Sequence, residues 1–305
     1  MRLLFIFLDG VGLGENNPET NPFARAKMPN LKKLLDGRSL LKDSAPFHGE
    51  HATLLGVDPA VGVSGLPQSA TGQAILLTGI NIPSELGYHY GPKPNPEVAA
   101  YLKEATLFAR FTKEGKKAAL LNAYPPRYFQ GIDSGKRLYS SVPLSVINAG
   151  LPLFRHEDLF AGRALSADFT GEGWRTMLGF DNAPIMDAAQ AGRMLGTLAQ
   201  KYDFSFFEYW ASDYAGHKQE MGKAVNLMEA FDEVLGGLLE AWDDNGLILV
   251  TSDHGNMDDL STRRHTDADV PALVIGNKAA RDEFTQDMRN LTDIAPAIWR
   301  TVMGE

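Results

Sequence analysis

Cysteine is absent from the 305 residues. That absence removes structural disulfides, iron–sulfur clusters, Cys-based zinc sites and a thiolate nucleophile. Any metal must sit on histidine, carboxylate or hydroxyl donors, which suit Mn²⁺, Zn²⁺ or Mg²⁺, and 7 His with 38 Asp plus Glu supply them. Positive charge is also scarce. Lys plus Arg number 29, the net charge is −9 and no long run of like charge occurs, so the basic footprint of a nucleic-acid binder is missing. A small anionic substrate stays compatible with this balance, because bound divalent cations reverse the local field. No apolar run approaches the ~18–20 residues of a membrane span. The N-terminal run Leu3–Leu8 stops at Asp9 after six residues, short of the ~7–15 of a signal-peptide core. We therefore expect a soluble, cytoplasmic protein without nucleic-acid or membrane partners.

Short apolar runs read as strands buried on both faces: Leu3–Leu8, Lys117–Asn122, Phe204–Ala211, Leu247–Thr251 and Val270–Ile275. Between them, apolar residues recurring every three or four positions predict helices over Glu97–Glu114, Asp187–Tyr202, Met221–Trp242 and Ala279–Met303. Strands alternating with helices imply an α/β fold, a mostly parallel sheet with helices on both faces. Residues 125–185 break the rhythm with Pro, Gly and Ser. They are expected to form a small inserted lid on a core of 1–124 and 186–305.

Three expected strands run into an aspartate: Asp9, Asp213 and Asp253. Ligands of open parallel sheets bind outside the carboxyl ends of the strands, so these residues can converge although they are far apart in sequence. Each has a nitrogen donor within reach. His217 lies four residues after Asp213, His254 follows Asp253, and His265 precedes the next strand. A single aspartate after a strand can be only a helix N-cap, and Asp9-Gly10 is a common turn dipeptide. Six such residues at successive strand ends exceed what capping requires, and they suffice for two metals with mixed N/O ligation.

The segment Gly65-Leu66-Pro67-Gln68-Ser69-Ala70-Thr71-Gly72-Gln73 feeds an apolar run and places Ser69 near a helix N-terminus, where free N–H groups favour an anion. Ser69 is either an N-cap or a nucleophile activated by a metal, and Thr71 competes for the second role.

These motifs resemble the alkaline-phosphatase superfamily of two-metal enzymes, and within it the core of cofactor-independent phosphoglycerate mutase and phosphopentomutase. Leu8-Asp9-Gly10, Asp213-x-x-x-His217, Ser252-Asp253-His254-Gly255-Asn256 and His265-Thr266…Val270-Pro271 occur in the family's order. The Gly65–Gln73 string is also similar to one in a set of bacterial metalloenzyme-domain proteins. The resemblance implies that one divalent ion is held by Asp213, His217 and His265, and a second by Asp9, Asp253, His254 and the Ser69 oxygen. It implies Ser69 as the attacking residue, with Thr71 a bystander. Phosphatase or phosphomutase action on a small phosphorylated metabolite, through a phosphoserine, is what it implies about activity. A phosphodiesterase, a phosphonate or sulfate-ester hydrolase, and an inactive metal-binding member are the alternatives. Two departures stand out: Gln73 occupies the place of a mutase His, and the insert is far smaller than the mutase substrate domain. The insert's basic residues are few: Arg127, Lys136, Arg137, Arg155 and Arg163.

Overall fold

The computed structural model describes residues 1–243 and 245–305. Its strands are β1 (Arg2–Leu8), β2 (Phe47–His48), β3 (Ala52–Val57), β4 (Ala118–Leu120), β5 (Ala123–Tyr124), β6 (Phe154–Arg155), β7 (Phe204–Tyr209), β8 (Gly246–Thr251) and β9 (Val270–Ile275). One seven-stranded sheet has the order β2-β3-β9-β8-β1-β7-β4, and β5 pairs separately with β6. The centre of the sheet is parallel: β1 lies between β8 and β7, and β4 joins β7. On the other flank β9 runs antiparallel to both β8 and β3, and β2 antiparallel to β3.

β1 shows why an unbroken apolar run was needed. Successive side chains of a strand point to opposite faces, and both faces of this strand are covered. Leu4, Ile6 and Leu8 pack on one face with Leu195 and Leu198 of the Ala188–Ala199 helix and with Met228, Leu235 and Leu238 of the Met221–Ala241 helix. Leu3, Phe5 and Phe7 pack on the other with Ile75, Phe108 and Ile298, carried by the helices Ser69–Thr78, Leu107–Lys113 and Ile294–Met303. Each fully buried side chain of this size contributes roughly 1.5–3 kcal/mol. The result is the expected α/β architecture of a mostly parallel sheet between two helical layers. Among the described residues, no helix is long and apolar enough to cross a membrane.

Two expected helices are each broken in two. Glu97–Glu114 divides into Pro96–Tyr101 and Leu107–Lys113, because the buried Thr106 hydroxyl accepts the Ala109 N–H (3.3 Å) and starts a second helix. Ala279–Met303 divides into Lys278–Thr285 and Ile294–Met303. Here Asp58, just past β3, takes two backbone hydrogen bonds, from Asp58 N to Arg289 O (2.9 Å) and from Leu291 N to Asp58 O (3.2 Å). Those bonds pull the chain out of helical geometry before Asn290 caps the next turn. β3 itself lacks an expectation from the sequence; it enters the sheet through antiparallel pairing with β9.

Within residues 125–185, the helix Ser141–Asn148 lays Val142 and Val146 into the core face that also holds Ile75. Ser141 Oγ donates to the Ala70 carbonyl at 3.1 Å. Leu159, Ala164 and Trp174 gather instead in a satellite cluster with Ala123 and Ala183.

Candidate metal centre

The register of the sheet brings three strand ends to one level. Leu8 pairs with Tyr209, and Phe7 with Thr251, so the next residues of β1, β7 and β8 emerge side by side. Cross-links fix the turns that follow. Asp9 N donates to Tyr209 O (3.1 Å), Ser212 Oγ to Asp9 O (2.6 Å) and Val11 N to Ser252 Oγ (2.8 Å). Gly10, at φ +69°, lets the first turn close against Asp213, since a Cβ there would lie 2.6 Å from Asp213 Oδ1.

β7 is followed directly by the helix Ala211–Lys218, which puts Asp213 and His217 on one face with His217 Nε2 3.3 Å from Asp213 Oδ2. Because β9 is antiparallel to β8, the loop between them leaves and re-enters the sheet at the same edge. That loop carries Asp253 and His254 at its start and His265 near its end, and the His254 and His265 rings stack at 3.7 Å between centroids. Ser69 opens its helix, with Oγ 3.0 Å from His254 Nε2. All seven residues singled out in the sequence therefore meet.

The three imidazoles share one orientation. His217 Nδ1 donates to Arg263 O (2.8 Å), His265 Nδ1 to Pro67 O (2.8 Å) and His254 Nδ1 to Gly255 O (3.3 Å). A carbonyl can only accept, so each Nδ1 carries a proton and each Nε2 is the ring nitrogen turned inward. Those nitrogens face carboxyl oxygens, which are acceptors once ionised: His254 Nε2 is 3.5 Å from Asp9 Oδ1 and 3.6 Å from Asp253 Oδ2, and His265 Nε2 is 3.9 Å from Asp213 Oδ1. Asp9 Oδ1 is buried and finds no hydrogen-bond donor among the described residues. Acceptors facing acceptors form a stable arrangement around cations. Two compact donor groups result, Asp213–His217–His265 and Asp9–Asp213–His254, and their N/O chemistry fits divalent ions.

The charges respond accordingly. Burial, reinforced by Asp253, Asp213 and Glu208, holds the Asp9 carboxyl well above the usual range. Burial and then Asp213 push Asp253 up to about 7. Burial lowers His254 to about 4, and burial with His254 lowers His265, so both rings are neutral ligands at pH 7.

Three residues of the site carried no role in the sequence reading. Asn256 Nδ2 donates to Asp213 Oδ1 at 2.6 Å and orients that carboxylate. Gln73 Nε2 reaches Asp253 Oδ2 at 3.5 Å. Glu208, the penultimate residue of β7, is buried behind Asp9 and Asp253. It accepts from Tyr124 OH at 3.3 Å, and burial lifts its carboxyl to about 7. An acidic residue inside the apolar run Phe204–Ala211 was its available signal.

A cavity of about 540 Å³ opens on the site, lined by Gly65, Leu66, Gln68, His217, Arg264 and His265. A larger one, about 1000 Å³, lies across the 255–266 loop beside Lys42, Asp258 and Asp269 and touches none of the seven residues.

Residues 173–304 match the family model described as Metalloenzyme superfamily. A 2,3-bisphosphoglycerate-independent phosphoglycerate mutase of Vibrio parahaemolyticus is 27% identical over 209 residues, covering 64% of this chain and 40% of that protein. The first curated relatives align over as little as 24% of their length; this chain spans well under half of them. Among solved structures, the alkaline phosphatase of the Antarctic bacterium TAB5 superposes with a TM-score of 0.56 at 13% identity, over 100% of this chain and 98% of its own. A Pyrococcus horikoshii protein gives the same TM-score at 17% identity, over 100% and 97%. Residues 173–304 thus carry the sequence pattern of the metalloenzyme superfamily, and the whole chain shares the fold of these alkaline-phosphatase-like structures.

Proposed function

We propose that this chain is a two-metal phosphoryl-transfer enzyme, a phosphatase or phosphomutase, acting on a small phosphorylated metabolite through a phosphoserine at Ser69. The observation that carries the reading is the convergence of three imidazole Nε2 atoms with the carboxylates of Asp9, Asp213 and Asp253, and the Ser69 hydroxyl 3.0 Å from one of them, His254 Nε2. Asp213, His217 and His265 would hold one divalent ion, and Asp9, Asp253, His254 and Ser69 Oγ would hold the other. When bound, the ions, Mn²⁺ or Zn²⁺ with Mg²⁺ as a further candidate, neutralise phosphoryl oxygens and lower the pKa of the attacking hydroxyl.

The rest falls to the chain's own groups. In the metal-free chain the Ser69 hydroxyl donates to His254 Nε2 at 3.0 Å, which sets Ser69 Oγ next to a proposed ligand atom. Ser69 begins a ten-residue helix, and the free N–H groups of such a first turn favour the anionic group brought to it. Ser69 Oγ bonds to phosphorus as the bond to the leaving alcohol breaks in line behind it. Water, or a second hydroxyl, then takes the phosphoryl group from Ser69; hydrolysis and mutation differ only in that acceptor. Residues 125–185 act as a cap over a core of 1–124 and 186–305.

The test is turnover of an aryl phosphate by the Mn²⁺-loaded protein, with mass spectrometry of the peptide containing Ser69. Ser69→Ala should lose about 10⁴-fold or more in kcat together with the phosphoryl label, while elemental analysis still finds bound metal. Full activity in that variant refutes the covalent mechanism. Aryl phosphate diesters, phosphonates and sulfates assayed in parallel separate the alternative hydrolases.

A further inference from the structure

The helix Ser69–Thr78 is buried along all ten of its residues, and its polar side chains are satisfied unequally. Thr71 Oγ1 donates to the Gln68 carbonyl at 3.1 Å, and Thr78 Oγ1 to the Ala74 carbonyl at 2.7 Å. Gln73, 3% exposed, is different. Its Nε2 reaches Asp253 Oδ2 at 3.5 Å, and its Oε1 finds no donor among the described residues. A buried carboxamide whose oxygen goes unused costs the fold free energy that an apolar side chain of the same length would not. The packing of this helix gives no reason to keep an amide there; its one partner does.

Asp253 is held from two sides. Its Oδ1 accepts from Gly10 N at 3.5 Å, and its Oδ2 from Gln73 Nε2. With both oxygens engaged, the carboxylate plane is kept from turning about the Cβ–Cγ bond; without Gln73 only the Oδ1 contact restrains it. The helix delivers the amide with little play, because Gly72 packs directly on Asp253: a Cβ there would lie 2.8 Å from the Asp253 Cβ and carbonyl oxygen. One turn earlier, the same helix sets Ser69 Oγ 3.0 Å from His254 Nε2. Two adjacent ligand residues are thus registered against one element, His254 through Ser69 and Asp253 through Gln73. We infer that Gln73 is a positioning residue: its amide fixes the Asp253 carboxylate in the orientation that an ion shared with Ser69 Oγ requires. This rests on the two-metal reading of the site.

Gln73→Met, unbranched and of similar length, tests it in the whole chain. Titration with Mn²⁺, followed by loss of the paramagnetic-resonance signal of the free ion, should show two binding steps in the parent. In Gln73→Met one step should weaken by about 10–100-fold, the usual effect of removing a group that orients a metal ligand, while the other stays as in the parent. His217→Ala should retain the step that Gln73→Met weakens, which assigns it to Asp9, Asp253, His254 and Ser69. Because the amide is costly to bury, the Tm of metal-free Gln73→Met should equal or exceed the parent's; a side chain kept for the fold would lower it. Gln73→His, which still offers an N–H donor, should recover part of the lost affinity. Both steps unchanged, both weakened alike, a metal-free Tm well below the parent's, or a weakened step that is missing from His217→Ala each overturn the inference. A parent that takes up fewer than two ions overturns the two-metal reading, and the inference with it. Two ions in the parent and an indifferent Gln73→Met overturn the inference alone.

Discussion

The two donor groups meet at Asp213 but occupy different surroundings. Asp253 and His254 have 0% of their side chains exposed and Asp9 has 11%, whereas His217 keeps 43% exposed and Asp213 19%. The buried group is assembled from the ends of central strands and the Ser69 helix, which cannot shift without disturbing both core faces. The open group hangs on a short helix and the long 252–269 loop. Burial is what raises Asp9 and Asp253, so the two halves should bind ions on different terms: the inner one slowly, and in competition with protons, the outer one in quick exchange.

The widest separation should come from deleting one imidazole in each half. His254→Ala empties a fully buried position and is expected to cost about 2–4 kcal/mol of stability along with the inner ion. His217→Ala is expected to lose the outer ion with less than about 1 kcal/mol of change. Elemental analysis with thermal unfolding of the metal-free variants measures both; equal stability losses would abolish the distinction between the halves.

Glycines give a second contrast. A Cβ on Gly72 would lie 2.8 Å from the Cβ and carbonyl oxygen of Asp253, and one on Gly216 would lie 2.6 Å from the Asn256 side-chain amide. Backbone must yield in the first case and only an amide rotor in the second. Gly72→Ala should therefore cost about 1–3 kcal/mol and most of the turnover. Gly216→Ala should stay within about 1 kcal/mol, its main effect a weaker hold on Asp213. Chemical denaturation and kcat report the two; similar values would show that the inner wall gives as readily as the outer.

The smallest effect is on pH. Asp253 and Glu208, both lifted to about 7 from ordinary values of 3.8 and 4.5, bind more protons folded than unfolded. Between pH 4 and 7 the metal-free protein should lose stability from these groups as pH rises. Ions displace the Asp253 proton, so the gain in Tm on adding Mn²⁺ should be larger at pH 8 than at pH 5.5. The trend should persist in His217→Ala and shrink in Asp253→Asn. A gain independent of pH would place the perturbed carboxylate elsewhere.

Much of this arrangement was legible in the chain, for a physical reason. A strand covered on both faces must be apolar throughout, so an aspartate at its end marks where the sheet stops; that is how Asp9 and Asp253 stood out. The Asp213–His217 spacing needed only a helical turn, which the structure supplies. Illegible features depend on partners distant in sequence. The break at Arg289–Leu291 arises from Asp58, more than 200 residues earlier, and no local pattern announces it. β3 joins the sheet because β9 offers an edge, and its Ala-Thr-Leu-Leu-Gly-Val sequence has no clean period. Asn256 stood inside a recognised motif without a role, since its hydrogen bond to Asp213 exists only in the folded chain.

The central position of β1 sets an order of events. Its partners on either side begin at Phe204 and Gly246, so β1 has no neighbour in the sheet until chain far downstream of it has been made. Long-range pairings of this kind form late and slowly. Asp9 then meets Asp253 only after β8 has been made and paired, and an ion offered to a shorter nascent fragment finds half a cage. Loading of an ion between Asp9 and Asp253 would in this sense come late in folding.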